Sequence, residues 1–197
     1  MQAAPKPSAE KHPAYKTGVL QEAYHERLVA NLDGFARDAG IQPFWIWTPL
    51  ADTVSVAEIE YVREFRKHRV EGKTQGLAYF RVTTKAEPER HMAALAGALV
   101  RNFVRARVMT VGSILDATAK REEIEATCLM IPNFHLSKDE GGNIASWQVQ
   151  NLHDLLVQRG QSGLQTVVYV SDFDTLRNDY GLALGRLIET NYIACAL

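Results

Sequence analysis

The residues between one predicted strand and the helix after it occupy a position at which many proteins bind phosphate. The strand GLAYFRV (76–82) leads into the loop TTKAEPE (83–89), and an amphipathic helix continues from Arg90. A phosphate-binding loop at such a junction is rich in glycine and ends in Lys-Ser/Thr, because backbone N–H groups, the helix N-terminus and a lysine ammonium must all face phosphate. This loop contains no glycine and ends in Glu89 followed by Arg90. Its position suits phosphate binding, but its residues do not.

The acidic side chains of this loop oppose phosphate. Glu87 and Glu89 flank Pro88 in the predicted first helical turn, where proline is favoured and carboxylates complement the helix dipole. A carboxylate about 4 Å from a phosphate costs on the order of 4 kcal/mol per pair of unit charges at intermediate dielectric. Because neither glycines nor a lysine offset this repulsion, we expect a triphosphate to bind weakly.

The composition is that of a globular protein without a strong overall charge. The chain has 197 residues, of which 46% are hydrophobic and 23% charged, and its net charge is −1, so nucleic-acid binding would need a local patch. Cys128 and Cys195 lie in apolar segments and are predicted to be buried, reduced thiols. No apolar segment approaches about 18 residues, and no signal-peptide core is present, which predicts a cytoplasmic protein without membrane contact.

The hydrophobic pattern divides the chain into three parts. Residues 1–14 are rich in proline and predicted as a disordered lead-in, residues 15–50 as a helical extension with the aromatic segment PFWIWTPL, and residues 51–197 as an α/β domain. About five apolar strands are predicted at 77–82, 107–111, 127–131, 166–170 and 192–197. Helices are predicted at 17–39, 54–69, 88–105, 113–120, 144–159 and 176–189. This alternation predicts a mostly parallel sheet with helices on both faces, a three-layer sandwich.

The order of these segments resembles the DnaC/IstB-type AAA+ family of helicase loaders and transposition ATPases over roughly residues 40–187. AGIQPFWIWTPLAD is similar to the stretch before the family's ATPase core, and RHMAALAGALV to the helix after its phosphate loop. CLMIPNFHL lies where the family has its Walker B strand, and TVVYVSDFDTLRNDYG resembles its sensor strand and the segment that follows. The resemblance implies a P-loop-NTPase-like fold, preceded by a short helical extension, and a role in DNA replication or mobile-element maintenance.

The positions that carry the chemistry of that family hold other residue types. Eight family positions are replaced: three glycines, the lysine, the Mg²⁺-ligating hydroxyl, the Walker B acidic pair and the sensor asparagine. Aligned in that order, the degenerate nucleotide pocket consists of Thr83, Ala86, Pro88, Glu89, Arg90, Pro132, Asn133 and Asp172. The resemblance therefore implies a non-hydrolysing protein, for which we predict no cofactor and no metal site.

One functional residue of the family is retained. GRLIE (185–189) resembles the helix that carries an arginine finger, and in the family such an arginine reaches the ATP site of a neighbouring subunit. The resemblance implies an accessory protein that binds a replicative helicase or related ATPase, in a homo- or hetero-oligomer, and contributes Arg186. The alternative is a surface arginine paired with Glu189 three residues later.

A basic run, REFRKHRVEGK (63–73), offers a candidate contact to single-stranded DNA. Its candidate residues are Arg63, Arg66, Lys67, Arg69 and Lys73, of which the first three share a face if the run is helical. A solvated helix face is the alternative. Arg101, Arg105 and Arg107 form a second, weaker cluster, and Phe44, Trp45 and Trp47 would either pack in the core or bind bases or a partner.

Two other functions remain open from the sequence. The chain could be an active ATP-binding loader with an unusual pocket, in which Lys85 contacts phosphate and ATP with Mg²⁺ is the cofactor. It could also be an unrelated small α/β enzyme, with Asp172, Asp174 and Asp179 near the carboxyl ends of the strands, where such folds place their chemistry.

Overall fold

The computed structural model describes residues 22–50, 54–83, 86–136 and 144–197, so the predicted lead-in 1–14 lies outside the described residues. Five strands form one sheet in the order β2-β3-β4-β1-β5, and every neighbouring pair is parallel. The strands are β1 (Gly76–Phe80), β2 (Ala106–Val108), β3 (Cys128–His135), β4 (Gln165–Val170) and β5 (Tyr192–Ala196).

Helices connect and cover these strands. The first group precedes the sheet and consists of α1 (Glu22–Ala30), α2 (Leu32–Ala39), a 3-10 turn (Pro43–Ile46), α3 (Val56–Arg63) and α4 (Phe65–Glu71). The second group alternates with the strands and consists of α5 (Pro88–Arg101), α6 (Val111–Ala119), α7 (Ser146–Gln161), α8 (Phe173–Tyr180) and α9 (Leu182–Asn191). In the described part of the chain, no helix combines the length and apolar character needed to span a bilayer.

The sheet separates two hydrophobic cores, as period-2 alternation along a strand requires. On β1, Leu77 and Tyr79 face the core shared with α1, α2 and α5, whereas Ala78 faces the core shared with α6 to α9. The central strand β4 is buried along its whole length and contributes to both cores. The predicted three-layer α/β sandwich with a mostly parallel sheet is confirmed.

The helical segment before the sheet packs into the same core as the strands. Leu28, Ala36 and Ile46 are fully buried among residues of β1 and α5. Close approach is allowed by Gly97 in α5, where a Cβ atom would lie 2.0 Å from the carbonyl oxygen of Trp45. The aromatic segment is therefore mainly a packing element, although the Phe44 side chain is 58% exposed.

Three predicted helices are interrupted in the structure. The helix expected over 17–39 is broken at Asn31, and residues 17–21 lie outside the described residues. The helix expected over 54–69 ends at Arg63 and resumes at Phe65. The helix expected over 176–189 is divided at Gly181, whose φ of 89° suits glycine. Each break leaves an apolar face on both sides, so the periodicity alone did not reveal it.

A buried arginine ties α7 to the amino edge of the sheet. Arg159 donates hydrogen bonds to the carbonyl oxygens of Ala126 and Gln165, at 3.0 and 2.7 Å, and to Thr166 Oγ1 at 3.0 Å. Burial lowers the pKa of this guanidinium. These three acceptors engage three of its five N–H donors without a carboxylate, which makes Arg159 part of the scaffold rather than of a site.

Candidate functional site

The carboxyl ends of β1, β4 and β3 meet at one edge of the sheet. Phe80 pairs with Val170, and Val170 in turn pairs with His135. The loop after β1 and the start of α5 therefore lie at the edge where parallel α/β folds bind ligands. Thr83, Ala86 and Arg90 from the predicted pocket lie in this region, whereas Lys85 lies outside the described residues.

The first turn of α5 is poorly suited to hold phosphate. The helix begins at Pro88, which has no backbone N–H and so removes one of the donors that a phosphate would need. The side chain of Glu87 carries a negative charge at the same helix end and pairs with Arg90 at 2.7 Å. Glu89, at the predicted lysine position, is exposed in the first turn. An anion here would meet carboxylates and would compete with Glu87 for Arg90.

A cavity of about 570 Å³ opens beside this turn, within the size range of small-molecule sites. Its walls are mostly apolar and come from the aromatic segment, the loop after β1, α5 and the C-terminal strand. Its lining includes Trp45, Thr83, Ala86, Glu87, Arg90 and His91. Pro88, Glu89, Pro132, Asn133 and Asp172 do not line it, so the structure brings together only three of the eight predicted pocket residues.

A buried carboxylate lies behind the cavity. Glu58 of α3 is 1% exposed and accepts hydrogen bonds from Tyr79 of β1 and from His91 Nε2 of α5, both at 2.5 Å. Its second oxygen accepts the backbone N–H and the hydroxyl of Ser55 at 2.9 and 3.0 Å. One side chain thereby joins α3, β1 and the first turn of α5.

These hydrogen bonds decide the charge state of Glu58. Burial alone raises the pKa of a carboxyl group, but the hydrogen bonds from His91, Tyr79 and Ser55 outweigh it and hold the pKa of Glu58 below its ordinary value. Burial and the neighbouring Glu58 raise the pKa of Tyr79 well above its usual range. Glu58 is thus an anion that orients His91, which is the only titratable group of this cluster that also lines the cavity among the described residues.

The residues at the predicted Walker B positions have structural roles. Pro132 and Asn133 lie inside β3 rather than after it, at an irregularity in the pairing between Ile131 and His135. Asn133 Oδ1 accepts the backbone N–H of Val111, the first residue of α6, at 2.9 Å. The amide oxygen of Asn133 therefore caps the start of α6.

The aspartates after β4 bind separate partners. Asp172, at the predicted sensor position, caps α8 by accepting the backbone N–H and the hydroxyl of Thr175, both at 2.7 Å, and these bonds lower the pKa of Asp172. Asp174 pairs with Arg177 at 2.8 Å, and Asp179 lies 3.2 Å from His135 Nε2. Among the described residues, no three His, Cys, Asp or Glu side chains form a group that could hold a metal ion.

Comparison with solved structures identifies the fold. The chain is similar to the crystal structure of DnaI, with a TM-score of 0.53 and 14% identity over 79% of this chain and 90% of that chain. It is also similar to domain III of the Thermotoga maritima replication initiation protein DnaA, with a TM-score of 0.51 and 13% identity over 76% of this chain and 69% of that one. No family model and no curated protein matches it significantly. At these identities the likeness shows the fold alone: a parallel α/β sheet covered by helices on both faces, as in these two structures.

Arg186 lies on the exposed side of α9, away from the pairing expected from the sequence. Glu189, the predicted alternative partner, instead pairs with Arg177 of α8 at 2.5 Å. Among the described residues, no carboxylate lies within ion-pair distance of Arg186. Its guanidinium is therefore available to another molecule, and its role as an arginine finger stays a prediction.

The basic run does not form a single helical face. Because the helix breaks at Glu64, Arg63 belongs to α3, whereas Arg66 and Lys67 belong to α4, so the assumption of one continuous helix was wrong. Lys67 pairs with Glu64 at 2.9 Å, and Lys73 with Glu71 at 2.8 Å. Arg69 is exposed. Contact of this run with single-stranded DNA stays a prediction.

Sequence reasoning missed Glu58, Tyr79 and His91 as a unit. The three residues are separated by up to 33 positions in the chain, and Glu58 resembles any other acid in a helix. The one local signal was Ser55 three residues before Glu58, a capping box that both side chains complete.

Proposed function

We propose that this chain is a non-hydrolysing AAA+-like accessory protein that binds a replicative helicase or a related ATPase, in DNA replication or mobile-element maintenance. One observation carries the proposal: three of the eight predicted pocket residues each stabilise a helix N-terminus. Pro88 begins α5, Asn133 accepts the first N–H of α6, and Asp172 caps α8. Pro88 has no backbone N–H to offer, and the Asn133 and Asp172 oxygens that accept these N–H groups are already hydrogen-bonded within the fold.

The similar solved structures support a role in DNA replication. DnaI and the replication initiation protein DnaA supply the similar structures, and Arg186 is exposed on α9. In this proposal the protein docks beside a true ATPase, and Arg186 approaches the phosphates bound there, where a guanidinium stabilises developing negative charge.

Nucleotide binding tests the first half of the proposal. We expect isothermal titration with ATP and Mg²⁺ to show no saturable binding up to about 1 mM, where a binding free energy of about −4 kcal/mol would be needed. Micromolar binding that is abolished by Lys85→Ala would instead establish the active ATP-binding alternative. Micromolar binding of ATP that survives Lys85→Ala would also contradict the proposal, because it would place nucleotide in the cavity by other contacts.

The ATPase rate of the host's replicative helicase tests the second half. We expect the wild-type protein to bind the helicase and change its rate, and Arg186→Ala to bind equally but lose most of that change. Arg63→Ala is the matched control, because Arg63 is another exposed arginine, on a helix that packs into the other hydrophobic core. If wild type and Arg186→Ala changed the ATPase rate equally, the arginine-finger role would be refuted. If no complex with the helicase formed, the proposed function would be refuted.

A further inference from the structure

A second concave surface lies at the opposite, amino edge of the sheet. This groove of about 1100 Å³ lies between α1 and α2 on one side and the end of α5 and the start of β2 on the other. Its basic lining consists of Arg27, Arg37, Arg66, Arg101, Arg105 and Arg107. We call it the arginine groove; Arg66 is the only member of the basic run that lines it.

Most of its arginines carry charge that the described residues do not neutralise. Arg105 pairs with Glu125, and Arg101 donates to the carbonyl oxygen of Thr48 at 3.0 Å. Arg27, Arg37, Arg66 and Arg107 are exposed, and among the described residues none of them lies in an ion pair. The lining carboxylates are Asp38, Glu123 and Glu125, so six arginines face three acids in a chain whose net charge is −1.

The groove also has an aromatic component. The rings of Phe35 and Phe103 pack edge to face with centroids 6.1 Å apart, and the Arg27 guanidinium lies 5.5 Å from the centroid of Phe103. Both phenylalanines line the groove and are only partly buried. A partner would therefore meet apolar ring surface between charged guanidinium groups.

These features indicate a protein partner in particular. Interfaces between proteins are enriched in arginine and phenylalanine and depleted in lysine, and this lining has six arginines and no lysine. The three carboxylates would repel a uniformly charged phosphate backbone, whereas a polypeptide can place its acids only against the arginines. Guanidinium groups bind carboxylates in a bidentate manner that lysine cannot reproduce.

We propose that the arginine groove binds an acidic, partly apolar segment of a partner protein, with carboxylates on Arg27, Arg37, Arg66 and Arg107 and an apolar side chain against Phe35 and Phe103. In the accessory function that we propose, the arginine groove is the surface that docks on the ATPase partner. This role of the groove rests on the proposed function. The chemistry of the groove does not depend on it and can be measured separately.

The first experiment uses a defined probe. A fluorescein-labelled 12-residue peptide with alternating pairs of Glu and Leu is titrated with the full-length protein, and anisotropy gives the dissociation constant. We expect the triple variant Arg27→Ala, Arg37→Ala, Arg107→Ala to bind about tenfold more weakly. The control variant Arg63→Ala, Lys67→Ala, Lys73→Ala removes the same charge outside the groove and should bind within twofold of wild type.

Three results would overturn the assignment. If both triple variants bound the peptide equally weakly, overall charge rather than the groove would explain the binding. Unchanged binding of the same peptide with Gln in place of Glu would exclude carboxylate recognition. Tighter binding of a twelve-nucleotide oligothymidine than of the peptide, lost in the groove variant alone, would make the groove a nucleic-acid site.

The second experiment separates the groove from the proposed function. The replicative helicase of the host is captured by wild-type protein and by the two triple variants. Loss of the helicase with the groove variant alone supports docking through the groove, and equal capture by all three refutes it while leaving the accessory function intact. If wild type captures no helicase, the proposed function fails, and the peptide titration still decides what the groove binds.

Discussion

Replacing Glu58 by glutamine tests whether the buried carboxylate organises the candidate site. Glu58 accepts four hydrogen bonds, two on each oxygen, from Tyr79, His91 and Ser55. Glutamine preserves the shape of the side chain, but its NH₂ group replaces one of the two acceptor oxygens. Two of the four donors then face another donor in a buried environment, and the charge that strengthened the remaining bonds is lost.

The size of the effect follows from these contacts. A hydrogen bond to a charged group contributes about 1.5–3 kcal/mol, and a buried donor without an acceptor costs about 1–3 kcal/mol. Rotation of the Ser55 hydroxyl can relieve one of the clashes. We therefore expect Glu58→Gln to lower the free energy of unfolding by about 3 kcal/mol at pH 7, a large part of the 5–15 kcal/mol typical of a domain.

The pH dependence provides an independent signature. The pKa of Glu58 is lower in the folded protein than its ordinary value of 4.5, so folding favours the ionised form. The stabilisation that this ionisation contributes is complete above pH 4.5 and is lost as the pH falls through the folded-state pKa. The difference in stability between wild type and Glu58→Gln should therefore shrink as the pH is lowered below about 4.5.

Guanidinium unfolding curves from pH 7 to pH 3 measure both quantities. Glu60→Gln is the matched control, because Glu60 is an exposed acid on the same helix and should change stability by less than about 0.5 kcal/mol. A Glu58→Gln protein as stable as the control, or a stability difference from wild type that does not depend on pH, would refute the role assigned to this carboxylate.

Three further predictions concern the scaffold. Arg159→Met should lower the free energy of unfolding by about 3 kcal/mol in chemical denaturation, because it leaves two buried carbonyl groups and a hydroxyl without their donor. Gly97→Ala should destabilise by about 1–3 kcal/mol, since the new Cβ meets the carbonyl of Trp45, whereas Gly112→Ala, with its nearest neighbour at 3.9 Å, should be tolerated. Burial raises the pKa of Cys128 to about 12 and that of Cys195 to about 11, so native protein should react with iodoacetamide only as fast as it unfolds.

The strands were predictable from the sequence because buried strands consist of continuous runs of apolar residues. The segment predicted at 166–170 is observed as Gln165–Val170, and all six of its residues are buried. Strands covered on both faces are continuous apolar runs, which are easy to recognise. The strand predicted at 127–131 continues to His135, because the irregularity after Ile131 accommodates Pro132 within the strand.

The candidate surfaces were less predictable, because they join residues that are distant in sequence. Arg27 and Arg37 meet Arg105 and Arg107 only after α1 and α2 fold onto the core at the side of β2. The sequence showed a continuous basic run at 63–73, yet four of its five candidate residues lie outside the groove. A high local density of charged residues in the sequence indicates which residues are solvated. A surface that binds a partner also depends on which separate helices and strands lie side by side in the fold.

Three residues of the predicted nucleotide pocket share one structural role. Active sites usually break local rules, with strained backbones and unpaired charges that reduce stability. At this sheet edge the rules are obeyed: proline occupies the first position of α5, and an aspartate side chain accepts an N–H at the start of α8. The amide of Asn133 likewise accepts an N–H at the start of α6, so each change satisfies a donor or fixes a dihedral angle. Such consistency is expected of residues that serve the fold, and it is why we place the proposed function on Arg186 and the arginine groove rather than at the predicted pocket.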